Sequence, residues 1–230
     1  AIKDSDEIVS LEEAAILHQQ AFEEIKPLLV AGTSEMELAL ALEFALKRSG
    51  GEAKAFDYIV ASGKRGAMPH GLASDKKICT GELVTIDFGT RVNGYHSDET
   101  VTVAIGDIDK KSHEIYDTVL SAHDQALAAV KPGMSIVALD AIARDYIRQQ
   151  GYGEYFGHGL GHGVGLEIHE YPAISPKSEG SLEEGMVITI EPGIYVPEFG
   201  GVRIEDTVVV TSDGCRCLTR LPKKFQKFPA

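Results

Sequence analysis

The sequence predicts an α+β protein built from two similar halves, with the strands merged and the helices packed on one side. Two observations predict this fold. The order helix, helix, strands occurs over roughly residues 6–105 and again over residues 112–211. Residues 81–87 also parallel residues 185–191, because each segment places an acid six residues after a glycine, behind an apolar strand. No linker separates the halves, so residues 1–230 are expected to form a single domain.

Apolar spacing and end signals predict the individual elements. The first helix covers about residues 6–30, and the second begins near Ser34, an N-cap signature, and ends at a glycine pair. In the second half, helices are expected over residues 112–130 and 135–151. The β-branched stretches that predict strands are residues 58–61, 83–88, 100–105, 186–190 and 202–211.

Charge and composition limit the partners that the chain can bind. The net charge of −13 repels phosphates, so neither nucleic acid nor an anionic membrane is expected. We find no apolar run of about 18 residues for a membrane span and no signal-peptide pattern. The cysteines Cys79, Cys215 and Cys217 are too few for a disulfide framework and predict reduced thiols in a cytoplasmic protein. A homodimer is compatible with these properties.

Four acids occupy related positions in the two halves. Asp87 and Glu191 end apolar strands, and Asp98 and Glu205 begin the next ones. A carboxylate in such a place is costly unless neutralised, and one such acid alone is more often a cap or a salt-bridge partner. Four of them related by a repeat favour divalent cations, and two cations would offset most of their charge.

A glycine-rich stretch adds histidines to these acids. Residues 158–170 hold His158, His162 and His169 among four glycines. A single histidine is more often structural, but a cluster beside paired acids favours a site. The glycines alone would allow a nucleotide loop, which the absence of lysine argues against.

Taken together, these motifs resemble the metallopeptidases of the pita-bread fold. That family includes methionine aminopeptidase, aminopeptidase P and Xaa-Pro dipeptidase (prolidase), and its fold also occurs in creatinase, a metal-free amidinohydrolase. The resemblance implies a pseudo-two-fold α+β fold, with an antiparallel curved sheet and helices on its outer face. The matching stretches are residues 68–71, 86–89, 94–98, 158–170, 189–193 and 201–206.

By position, the resemblance implies a complete set of five metal ligands. Asp98 and Glu205 would bridge two divalent cations, Asp87 would hold one of them, and His162 with Glu191 the other. Ligation by many oxygens and one imidazole, together with the family, favours manganese, with cobalt as the alternative.

The resemblance also implies roles for the neighbouring residues. Glu191 is expected to take a proton from the attacking water and pass it to the leaving nitrogen. His169 is expected to steady the carbonyl oxygen, and His70 and His158 to line the pocket. Arg203 lies two residues before Glu205 and is interpreted as orienting a carboxylate from the same strand face, unless it is a surface charge.

Residues 201–206 and the run through Pro222 resemble the proline-specific branch of the family. The predicted activity is therefore prolidase-like hydrolysis of the N-terminal bond of short Xaa-Pro peptides. Two alternatives stay open: an aminopeptidase P acting on longer peptides, and a non-catalytic pita-bread binding module. Bacterial members of this branch commonly carry an N-terminal accessory domain, which is expected to be absent from residues 1–230.

Overall fold

The computed structural model describes residues 1–230 and confirms the predicted α+β class. Short 3-10 helices cover Lys26–Leu28, Gly63–Ala67 and Gly153–Tyr155. None of the α-helices is long and apolar enough to cross a membrane. The α-helices are α1 (Ser5–Ile25), α2 (Glu35–Arg48), α3 (Lys110–Ala129) and α4 (Ile136–Gln149).

Local hydrogen bonds decide where the helices begin and end. Ser34 caps α2 as predicted, in a capping box with Glu37. The prediction for α1 was too long: it ends at Ile25, and the chain continues as a 3-10 turn that contains Pro27, which has no N–H for a helical bond. The prediction for α3 started two residues late, because Asp109 accepts from the Ser112 N–H at 2.7 Å and so caps the helix earlier.

The strands form a four-stranded sheet, a five-stranded sheet and two separate hairpins. The order is β1-β2-β5-β13 in the first sheet and β12-β11-β8-β6-β7 in the second. The strands are β1 (Ile59–Ser62), β2 (Glu82–Phe88), β3 (Arg91–Val92), β4 (Tyr95–His96), β5 (Glu99–Ile105), β6 (Gly161–Gly163), β7 (Glu170–Ile174), β8 (Val187–Ile190), β9 (Gly193–Val196), β10 (Gly200–Arg203), β11 (Asp206–Val210), β12 (Cys215–Cys217) and β13 (Lys227–Phe228).

The prediction of a single strand over residues 202–211 is wrong. This segment belongs to two strands: β10, which pairs with β9, and β11, which pairs with β8 and β12. The break falls at Ile204 and Glu205, where the Glu205 N–H donates to the Thr100 carbonyl at 3.2 Å rather than to a ladder partner. Arg203 and Glu205 therefore do not share a strand face.

The two halves follow the same plan and meet along one line. In the first half, β2 and β5 pair in antiparallel fashion, and the chain that connects them forms the hairpin β3–β4. In the second half, β8 and β11 pair in the same way, and the chain that connects them forms the hairpin β9–β10. Helices α1 and α2 cover a core of 19 buried residues, and α3 and α4 cover another of 25. Where the two halves meet, the Thr207 hydroxyl of the second half donates to the Asp98 carbonyl of the first half at 2.7 Å. We call this contact between β5 and β11 the seam.

Candidate metal centre

Strand ends bring the four predicted acids to the seam. Asp87 lies near the end of β2 and Asp98 directly before β5, whereas Glu191 follows β8 and Glu205 directly precedes β11. In each antiparallel pair, the end of one strand lies beside the start of the next. All four side chains line the same cavity, of about 440 Å³.

His162, on β6, joins these acids. Its Nε2 lies 3.5 Å from Asp98 Oδ2 and 3.3 Å from Glu191 Oε1. The Nδ1–H donates to the Gly163 carbonyl at 2.9 Å, so in the neutral ring the Nε2 lone pair points toward the acids. Asp98, His162 and Glu205 each offer a ligand atom within 4.8 Å of the other two.

The electrostatics of the acids fit divalent cations. Burial, together with the neighbouring carboxylates, raises the pKa of Asp98 and of Glu205 well above the ordinary range, and burial also raises the pKa of Glu191. Asp87 Oδ1 and Glu205 Oε1 are buried and have no hydrogen-bond partner in the protein. Positive charge stabilises crowded carboxylates with unpaired buried oxygens, and divalent cations that take oxygen ligands would supply it.

Arg203 orients two of the acids through hydrogen bonds. It is 3% exposed, so the surface-charge alternative is wrong. Its Nη2 donates to Asp87 Oδ2 at 2.5 Å, and its Nε donates to the Thr100 hydroxyl at 3.2 Å. The Thr100 hydroxyl in turn donates to Glu205 Oε2 at 2.6 Å. One guanidinium thereby orients carboxylates from both halves.

A hydrogen-bond chain runs from Arg203 to His158. Arg203 Nη1 donates to the Tyr195 hydroxyl at 2.9 Å, and that hydroxyl donates to His158 Nε2 at 2.8 Å. His158 Nδ1 donates to the Gly159 carbonyl at 2.7 Å, which is the pattern of a neutral imidazole. Burial lowers the pKa of His158 to about 4, in agreement with that tautomer.

His169 stands at the cavity beside the metal-ligand candidates. Its ring centroid lies 4.4 Å from that of His162. Burial, with the nearby His162 and His70, lowers the pKa of His169, so the ring is kept neutral and able to donate an N–H. The cavity is lined by every residue that the sequence predicted for the site: His70, Asp87, Asp98, His158, His162, His169, Glu191, Arg203 and Glu205.

Sequence reasoning missed the groups that hold these residues in place. Thr189 donates to Glu191 Oε1 at 3.1 Å, and Tyr195 joins Arg203 to His158. A polar threonine two residues before the acid, inside an apolar strand, was an available signal for Thr189. Nothing in the sequence indicated the apolar side of the cavity, which Phe56, Ile59, Leu72 and Ile168 line.

The chain is similar to known proteins over most of its length. The model of metallopeptidase family M24 matches residues 10–212. The Xaa-Pro dipeptidase of Pyrococcus furiosus is 50% identical over 224 residues, 97% of this chain and 64% of that protein. The structure of an Xaa-Pro dipeptidase from Bacillus anthracis superposes with a TM-score of 0.97 at 48% identity, covering 99% of this chain and 64% of the other.

A third relative carries a different activity in its name. The X-Pro aminopeptidase structure from Thermotoga maritima has a TM-score of 0.96 at 44% identity, and the match covers 98% of this chain and 64% of that one. The chain thus spans 64% of the length of each of these relatives. The fold likeness extends over nearly the whole chain, which confirms the pita-bread prediction.

Proposed function

The chain belongs to metallopeptidase family M24, and on that premise we propose that it hydrolyses the N-terminal peptide bond of short peptides, with Xaa-Pro dipeptides as substrates. The observation that carries the proposal is the convergence of four carboxylates and His162 on one cavity. The dipeptide preference is supported by the Xaa-Pro dipeptidase names of two relatives.

We propose that two divalent cations are held by Asp87, Asp98, His162, Glu191 and Glu205, with manganese favoured and cobalt as the alternative. Support comes from the unpaired oxygens of Asp87 and Glu205 and from the oxygen-rich donor set. When bound, such cations lower the pKa of water and polarise a carbonyl group.

The surrounding side chains would handle the proton and the developing charge. A Glu191 carboxylate oxygen accepts the proton of the attacking water and delivers it to the leaving nitrogen, while Thr189 holds Oε1. His169, neutral because its pKa is lowered, donates its N–H to the carbonyl oxygen as negative charge develops there. Arg203 keeps the Asp87 carboxylate in a fixed orientation throughout.

The shape of the cavity supports a proline at the second position. Phe56, Ile59 and Leu72 give it an apolar side that suits a ring without an N–H. The second candidate activity, an aminopeptidase P acting on longer peptides, is favoured by the X-Pro aminopeptidase from Thermotoga maritima. We further propose that residues 1–230 act as one domain of two repeats and, since Cys79, Cys215 and Cys217 are free, that the protein is cytoplasmic.

A hydrolysis panel tests the proposal. Protein loaded with Mn²⁺ is given matched Xaa-Pro and Xaa-Ala dipeptides, Xaa-Pro tripeptides and Met-Ala peptides, with Glu191→Gln protein as the control for contaminating peptidases. We expect Xaa-Pro dipeptides to be cleaved fastest. Faster tripeptide cleavage would favour the aminopeptidase P alternative, and equal cleavage of Met-Ala would contradict the proline preference. No cleavage of any peptide would favour the binding-module alternative.

A further inference from the structure

A second buried charged cluster lies behind the candidate metal ligands. Glu99 directly follows Asp98, and Asp206 directly follows Glu205. Successive strand residues point to opposite faces, so these two acids turn away from the cavity. Glu99 is 0% exposed, and Asp206 is also buried. The cluster therefore sits on the other side of the same strand ends.

One cation joins the two acids across the seam. The Lys223 ammonium lies 2.5 Å from Glu99 Oε1 and 3.4 Å from Asp206 Oδ1. Its side chain is 8% exposed. The Leu221 N–H also donates to Glu99 Oε1, at 3.0 Å, so the segment that carries Lys223 is fastened beside this contact.

Each acid also lies beside a histidine from a helix of its own half. His18 of α1 has Nδ1 hydrogen-bonded to Glu99 Oε2 at 3.1 Å, and His123 of α3 has Nε2 3.2 Å from Asp206 Oδ2, a close approach without hydrogen-bond geometry. The two histidine–acid pairs thus repeat the two-fold plan of the molecule. Lys223 contacts the acids of both pairs and so ties the halves to each other.

We propose that Lys223 is a positioning residue of the metal centre, which fixes the separation of Asp98 and Glu205 by clamping the acids that follow them. This inference rests on the proposed function. Without the ammonium, the buried Glu99 and Asp206 carboxylates repel each other, and moving β5 away from β11 relieves the repulsion. That movement carries Asp98 and Glu205 apart, and the centre loses the spacing that holds two ions.

The chain offers a matched control four residues further on. Lys227 also lies in the C-terminal segment and pairs with Asp107 at 2.8 Å, but both side chains are exposed, at 55% and 93%. Lys223→Met and Lys227→Met remove the same charge from the same segment. Only the first variant removes it from the seam.

The test titrates metal-free protein with Co²⁺ and follows heat and visible absorption. We expect two Co²⁺ per wild-type chain, and in Lys223→Met at least a tenfold loss of affinity for the weaker ion with an altered absorption spectrum. Turnover of Xaa-Pro dipeptides should fall in this variant with little change in KM. Lys223→Arg, which restores the charge, should recover most of both effects, and Lys227→Met should behave as wild type.

Wild-type Co²⁺ affinity and spectrum in Lys223→Met, with only a lower melting temperature, would overturn the inference. Should Lys223→Met fail to fold, Lys223→Gln is measured instead, since it also removes the ammonium but keeps a polar side chain that can donate to Glu99. An unchanged second ion and spectrum in Lys223→Gln would equally overturn it. Wild-type protein that binds no metal ion would refute the proposed function, and this inference with it.

Discussion

The replacement Arg203→Lys measures how strongly one side chain organises the centre. The guanidinium donates to the Asp87 carboxylate, the Tyr195 hydroxyl, the Thr100 hydroxyl and the Pro69 carbonyl. A lysine can keep the ion pair with Asp87 but lacks the planar fork that reaches the other three groups. At about 1 kcal/mol for each hydrogen bond lost, the free energy of unfolding should fall by about 3 kcal/mol.

The assay is thermal unfolding followed by circular dichroism in the presence of a chelator, so that metal affinity does not contribute. For a chain of this size, the expected loss corresponds to a melting temperature lower by about 6–12 °C. With metal restored, the affinity should also fall, by about 10- to 100-fold, because Asp87 and Glu205 lose part of their support.

Arg216→Lys is the matched control. Arg216 pairs with Glu12 at the surface and its side chain is 51% exposed, so its replacement should cost no more than about 0.5 kcal/mol. A loss below about 1 kcal/mol in Arg203→Lys, or an equal loss in Arg216→Lys, would refute the reasoning that the buried fork is what stabilises this region.

Further outcomes follow for three other residues. Glu191→Gln should lower kcat far more than it changes KM in steady-state kinetics, because its proton transfer belongs to the transition state; a KM effect alone would contradict this. His169→Ala should keep its metals by elemental analysis yet lose about a hundredfold in turnover, and near-normal turnover would remove it from the mechanism. Burial lowers the pKa of His158 to about 4, so the unfolded chain takes up the proton first as the pH falls. The stability linked to His158 is therefore complete above about pH 6.5 and is lost toward pH 4, by about 3 kcal/mol. In chemical unfolding with a chelator present, the free energy of unfolding of His158→Gln should not show this fall between about pH 6.5 and pH 4. A pH dependence identical to that of wild type would show that His158 does not cause it.

Much of the fold could be predicted because its signals are local. Ser34 and the glycine pair at residues 50–51 bound α2 by short-range hydrogen bonding and backbone freedom. The break at Glu205 could not be predicted in this way. The run from Val202 to Val210 is apolar enough for one strand, and it is the bond from the Glu205 N–H to Thr100, 105 residues away, that interrupts it.

The same distinction holds for the candidate site. The acids and histidines were visible because they stand at repeated or clustered positions in the chain. The role of Tyr195 was not visible, because it depends on strand pairing. The antiparallel pairing of β9 and β10 places the Tyr195 hydroxyl between Arg203 and His158. An aromatic residue in an apolar strand otherwise indicates only packing.

The seam between two separately packed cores has a thermodynamic consequence. Its ligand candidates come from both halves, so an ion can bind fully only after the halves have docked. A ligand that binds only the docked state stabilises it by mass action, by about 2.7 kcal/mol at a hundredfold excess over Kd. Metal supply would then contribute to how tightly the two halves hold together. Hydrogen exchange at the Glu205 amide, which donates to the Thr100 carbonyl across the seam, should therefore speed up when metal is removed.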